Sequence, residues 1–174
     1  SIDVDNTKYS WQPFSNQIDN YKKNHNLYKN SLGNKIVFEE INHTIGLTFL
    51  YSWQASAKYG FVKKTKLLNH SGKKLNIKLI DGLRNILPAG VSLRTQQEMS
   101  NLANAYKVSE CNSDYNYALY YMNALLMDKP DPGESLFSNI VWSHSSDNIE
   151  LSVNEKSIST FLSSNEFEKD HLLK

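Results

Sequence analysis

A single cysteine, Cys111, in 174 residues excludes an internal disulfide but leaves the compartment open, because many exported domains have none. Net charge is also scarce. With 19 Lys and Arg against 18 Asp and Glu, a formal charge of +1, composition supplies no overall field for nucleic acid or an acidic membrane. The uninterrupted apolar stretches are only a few residues long, and Ser1-Ile-Asp-Val-Asp-Asn-Thr7 has neither a basic nor an apolar leader segment. The chain is therefore expected to be soluble, in the cytoplasm or the periplasm, and not to span a membrane. If its parent has a signal peptide, this sequence begins after it. No nucleophile motif, phosphate loop or metal cluster occurs, so no catalytic residue, metal or cofactor is assigned.

Among the titratable residues, His25, His43, His70, His144 and His171 lack the spacing that zinc sites favour and read as surface turns. Cys111 follows Glu110, with nothing nearby to activate a thiol. Glycoside cleavage needs two carboxyl groups about 5–9.5 Å apart across the bond. Glu39 and Glu40 cannot share that task, because neighbours on a strand point to opposite faces; one reads as solvated and the other as structural.

What the chain does have is aromatic residues and alternation. Ten Tyr, 7 Phe and 3 Trp suit sheets and surfaces that stack on flat partners. Residues 1–32 show no sustained period and read as an irregular lead-in to the same domain. Ile36 to Ile41, Ile45 to Trp53 and Leu75 to Ile80 alternate with the period of half-buried strands, separated by turns at Gly33-Asn34 and Asn42-His43. Tyr59 to Leu68 reads as a further strand, turning at Asn69-His-Ser-Gly72 to form a hairpin with Leu75, Ile77 and Leu79.

Thr95-Gln-Gln-Glu98 has the form of a capping box and predicts a helix near 95–108. Tyr115 to Met127 fits either a helix or a strand, and its alternating aromatics favour a strand; Leu136 to Trp142 and Ile149 to Val153 read as strands, with a proline-rich loop at 128–133. Asn154 can cap a last helix carrying Ile158, Phe161 and Leu162. The pattern is mainly antiparallel β with one or two helices, which packs most naturally as a sandwich of sheets.

Trp53 and Trp142 end apolar alternations and read as core, although each ring can also stack on a sugar; Trp11, in the lead-in, stands between the two uses. Tyr115, Tyr117, Tyr120 and Tyr121 are expected to occupy both faces of their strand. Asp81, beside Gly82, reads as a turn acceptor or a partner of Arg84, with a ligand contact as the alternative.

Gly33-Asn-Lys-Ile-Val-Phe-Glu-Glu40, Lys58-Tyr-Gly-Phe-Val62, Leu68-Asn69 with Ser71, Asp81-Gly-Leu-Arg-Asn-Ile-Leu-Pro88 and Val141-Trp-Ser143 resemble the N-terminal region of proteins related to cellobiose phosphorylase. The resemblance covers roughly residues 33–164. It implies a galactose-mutarotase-like β-supersandwich domain over 33–164, with 165–174 as the start of a linker to a C-terminal (α/α)6 barrel. That barrel would carry the general acid and is absent from this sequence.

The resemblance further implies a non-catalytic part of a glycoside phosphorylase-like or hydrolase-like protein, with the barrel as partner, an oligosaccharide as possible ligand and a homodimer as possible assembly. The alternative is a stand-alone carbohydrate-binding module. A small mutarotase-like enzyme would need a His and a carboxylate converging in one cleft, which nothing in the sequence suggests. Trp11, Trp53, Trp142, Asp81 and Arg84 are the candidate sugar contacts on either of the first two readings.

Overall fold

A computed structural model describes residues 2–4, 7–16, 19–124 and 136–167. The chain is mainly β and divides into two compact units, Ser1–Leu79 and Ile80–Lys174.

In the first unit, β3 (Lys23–Lys29), β4 (Lys35–Asn42), β5 (Leu47–Ser56) and β6 (Gly60–Asn69) form an antiparallel sheet in that order. The alternation that predicts β4 and β5 sets one register across the sheet. His25, Glu40, Phe49 and Leu67 share one row, and Leu27, Phe38, Tyr51 and Thr65 the next row on the same face. The turns between strands are made by side chains. Asn42 Oδ1 accepts from the amides of Thr44 and Ile45 at 3.1 and 3.3 Å, and Ser56 Oγ accepts from those of Lys58 and Tyr59.

A second sheet has the order β2-β1-β7, with β1 at Ile2–Val4, β2 at Thr7–Tyr9 and β7 at Asn76–Ile77. Ile2 of this sheet, Leu47 of β5 and Ile45 in the turn before β5 form a buried cluster, and Tyr9, Trp11, Tyr21, Leu67, Leu75 and Ile77 pack around them. Burial of each large apolar side chain contributes about 1.5–3 kcal/mol.

Two expectations are corrected here. The lead-in is not irregular, because it supplies β1, β2 and β3; β3 is a mostly exposed polar strand held by its ladder to β4, which a hydrophobic period cannot reveal. Nor does β6 form a hairpin with the segment after it. It pairs with β5, and the expected strand from Leu75 to Ile80 shortens to two residues that pair with β1.

In the second unit, β8 (Lys107–Asn112), β9 (Tyr117–Met122) and β10 (Ser138–Trp142) form an antiparallel sheet ordered β10-β9-β8. The expected helix near 95–108 is two short helices, α1 (Leu93–Glu98) and α2 (Ser100–Tyr106), broken at Met99 with φ −130°. Its cap is Ser92 and not Thr95: Ser92 Oγ accepts from the Thr95 amide at 3.0 Å.

Val91, Ala103 and Met122 form a small buried cluster. The stretch 107–112, given no strand by its pattern, is β8, whereas the strand expected at Ile149 to Val153 does not form. Helix α3 (Lys156–Ser164) stands where expected: Asn154 Oδ1 accepts from the Lys156 amide at 3.0 Å, Phe161 is buried and Leu162 is exposed. The expected loop at 128–133, and the parts of the predicted Tyr115–Met127 strand and of the 165–174 linker beyond residues 124 and 167, lie outside the described residues.

Candidate functional site

The one fully buried carboxylate among the described residues belongs to Glu40 on β4. Alternation places it beside Phe38 and Asn42 on one face, across from His25 on β3 and Phe49 on β5. Taking a carboxylate out of water costs several kcal/mol unless donors replace the lost hydration. Three do so. Trp11 Nε1 donates to Oε1 at 2.6 Å, the Phe14 amide donates to Oε2 at 2.6 Å, and His25 Nε2 lies 2.8 Å from Oε2.

Phe14 has φ 59°, a left-handed backbone that costs a non-glycine residue about 1–2 kcal/mol. Its ring meets Phe38, Phe49 and Tyr51 edge-on and stacks on His25 at 5.7 Å. Phe38 and Tyr51 stack at 4.7 Å, and the Lys63 ammonium sits 5.6 Å from the centre of the Tyr51 ring. An aromatic floor therefore surrounds an imidazole whose side chain is 54% exposed and whose inner edge is fixed by a buried carboxylate. Such a pairing orients an imidazole for proton transfer or ligation.

Among the described residues, no second carboxylate joins this arrangement. Glu39 faces the other side of the sheet, where Asn26 and Tyr28 donate to its Oε2 at 2.8 and 2.9 Å. That separation agrees with the reading of one structural and one solvated Glu. Hydrogen bonding to Glu39 also holds the Tyr28 phenol above its ordinary pKa. No group of three His, Cys, Asp or Glu able to hold a metal occurs among the described residues. His25 corrects the reading of the histidines as turn residues: it lies within β3, and its partner Glu40 is fifteen positions away.

The five residues singled out from sequence fall in both units. Trp11 is half-buried, with its indole N–H given to Glu40 and its ring edge-on to Phe49 at 6.4 Å, a structural role. Trp53 is half-buried on β5 between Ile36 and Lys63. Trp142 is not core: at the end of edge strand β10, opposite Tyr117, it is 62% exposed.

Asp81 is exposed, in a segment without regular structure. Arg84 pairs with Glu155, 71 positions away, at an open hollow of about 350 Å³ also lined by Lys156, Ile158, Ser159 and Leu162. Of the tyrosines expected on both faces of one strand, Tyr121 donates to Glu110 at 2.9 Å, while Tyr115 lies in the turn before β9 and is exposed.

Neither models of known protein families nor curated protein sequences match the chain.

Proposed function

We propose that this chain is a non-catalytic β domain of a larger carbohydrate-active protein of the cellobiose phosphorylase-related kind, a supersandwich domain that shapes and assembles with an (α/α)6 barrel. The peptides around Asp81-Gly-Leu-Arg-Asn-Ile-Leu-Pro88 support it from sequence, and the mainly antiparallel β architecture is compatible with it.

The observation that carries it is the exposure of Leu136, Phe137, Ile140 and Trp142 within seven residues. All four are exposed, the first two at 83% and 76%, on and beside an edge strand without a charged residue. Large apolar side chains exposed this close together in the sequence suit a docking face. On this reading the helical barrel covers it, and Glu40 serves to fasten the segment 11–14 onto the sheet.

The test is a thermal-shift series on the chain against mono- and oligosaccharides, then against a separately produced helical barrel of that protein group. The barrel is expected to raise Tm and to change the emission of Trp142, while sugars leave Tm unchanged. A ligand present at 100 times its Kd adds about 2.7 kcal/mol, so binding would not be missed. Exposure of the Trp142 ring favours one alternative, a stand-alone carbohydrate-binding module. A sugar-induced shift that Trp142→Ala removes would establish that alternative and reject the accessory-domain reading.

A further inference from the structure

Between residues 58 and 80 the chain carries seven lysines, Lys58, Lys63, Lys64, Lys66, Lys73, Lys74 and Lys78, and no Asp or Glu. The acidic residues of the chain fall entirely outside this stretch, so a near-neutral total conceals a strongly basic segment.

The segment begins with β6, the edge strand of the four-stranded sheet. β5 pairs with it on one side, and among the described residues no strand pairs with it on the other. Along Gly60–Asn69, alternate residues thus turn their amides and carbonyls away from β5, toward a side that no strand among the described residues covers. Lys64 and Lys66 are exposed and stand two positions apart on one face, about 7 Å from each other at the usual strand rise.

Their cross-strand neighbours offer no counter-charge. Lys64 faces Ser52 and Lys66 faces Leu50. Glu39, beyond Leu50 in the same row, is turned toward Asn26 and Tyr28. The opposite edge differs: on β3, Lys23 is already paired with Asp19 at 2.7 Å.

Lysines on an edge strand discourage pairing with a like strand, because a second copy of β6 would bring lysines against lysines. The same charges favour a strand with acidic side chains at alternate positions. From the open ladder and from Lys64 and Lys66, whose cross-strand neighbours carry no charge, we infer that β6 is a β-augmentation site for an extended acidic peptide, added antiparallel or parallel as a fifth strand. Main-chain hydrogen bonds supply the attachment, and Lys64 and Lys66 select carboxylates on alternate residues. This site is independent of the proposed accessory role, since it lies on the first unit and needs neither a sugar nor a barrel.

The experiment uses the full chain and a fluorescein-labelled peptide of about ten residues alternating Glu and Thr, matched to the length of β6. Two competitors have the same charge: a peptide with Pro in place of each Thr and N-methyl-Glu in place of each Glu, which has no backbone donor left with which to extend a ladder, and oligothymidylate. The alternating peptide is expected to bind in low salt, to weaken as salt rises, and to protect outward amides of β6 from hydrogen exchange. The Pro-containing peptide is expected to bind about tenfold more weakly or worse, and Lys64→Glu with Lys66→Glu to weaken the alternating peptide about tenfold.

Equal binding of the Pro-containing peptide, or tighter binding of oligothymidylate without protection of β6, would overturn the inference and leave a strip that reads charge alone. Absence of binding by the unmodified chain would overturn it as well, whatever the variant does.

Discussion

A carboxylate out of contact with solvent must find its hydrogen bonds inside the protein, and among the described residues Glu40 finds three, two of them from the segment 11–14. Glu40→Gln keeps the shape and replaces an acceptor by an NH2 donor, so at least one of Trp11 Nε1, the Phe14 amide or His25 then faces a donor. The expected loss is about 1–3 kcal/mol, read from the midpoint of urea unfolding. His25→Ala removes only one partner, at the exposed side of the cluster, and is expected to cost less than Glu40→Gln. The reverse order would mean that stacking of His25 on Phe14, rather than the carboxylate, holds the segment in place. Sequence alone identifies the alternation that sends Glu39 and Glu40 to opposite faces, but not the partners. Trp11 lies 29 positions from Glu40, and nothing local links them.

At the level of elements, β4 and β5 are legible because their apolar residues alternate in the sequence, although burial follows that period only in part: β4 buries the polar Glu40 and Asn42, and β5 buries Thr48 beside Leu47 and Phe49. Strands β3 and β8 escape notice for the opposite reason: they gain their place through backbone ladders, and their polar side chains carry no period. The false hairpin between β6 and Leu75 arises from a genuine turn signal at Asn69 to Gly72. There Asn69 Oδ1 accepts from the Ser71 amide at 3.0 Å, but the chain leaves the turn toward β1.

That turn also rests on Gly46, whose carbonyl accepts from the His70 amide at 2.8 Å. Gly46 and Gly60 share a left-handed backbone, at φ 65° and 67°, but differ in surroundings. A Cβ on Gly46 would stand 2.9 Å from Ser71 Cα, whereas one on Gly60 meets nothing within 4 Å. Gly60→Ala is expected to cost about 1 kcal/mol, from the backbone alone. Gly46→Ala should cost about 2 kcal/mol or more, because the turn must also move. Equal midpoints of chemical unfolding for the two variants would show that the contact between the turns is unimportant.

For the whole molecule, a formal charge of +1 averages over two unlike parts: Ser1–Leu79 holds 12 Lys against 5 Asp and Glu, and Ile80–Lys174 holds 7 Lys and Arg against 13. Composition suggests no field, but the division of the chain reveals two of opposite sign. Four of the 10 tyrosines supply a response to pH that both units share. Burial holds the phenols of Tyr21 and Tyr120 above the ordinary value, helped by Asp19 and Cys111 respectively, and hydrogen bonds to Glu39 and Glu110 do the same for Tyr28 and Tyr121. A group whose folded pKa is raised binds its proton more tightly in the folded state. The stability it contributes is complete below the unfolded tyrosine value, about 10, and is lost as pH rises through the higher folded value. Tm is therefore expected to fall across that range, with part of the tyrosine absorbance change delayed until unfolding. Because each unit contains one phenol raised chiefly by partial burial and one raised by a hydrogen bond to a Glu, tryptophan emission and far-ultraviolet dichroism should lose their folded signals over the same interval. A Tm that stays level or rises through the tyrosine range would mean that these phenols are as free to ionise in the folded protein as in the unfolded chain.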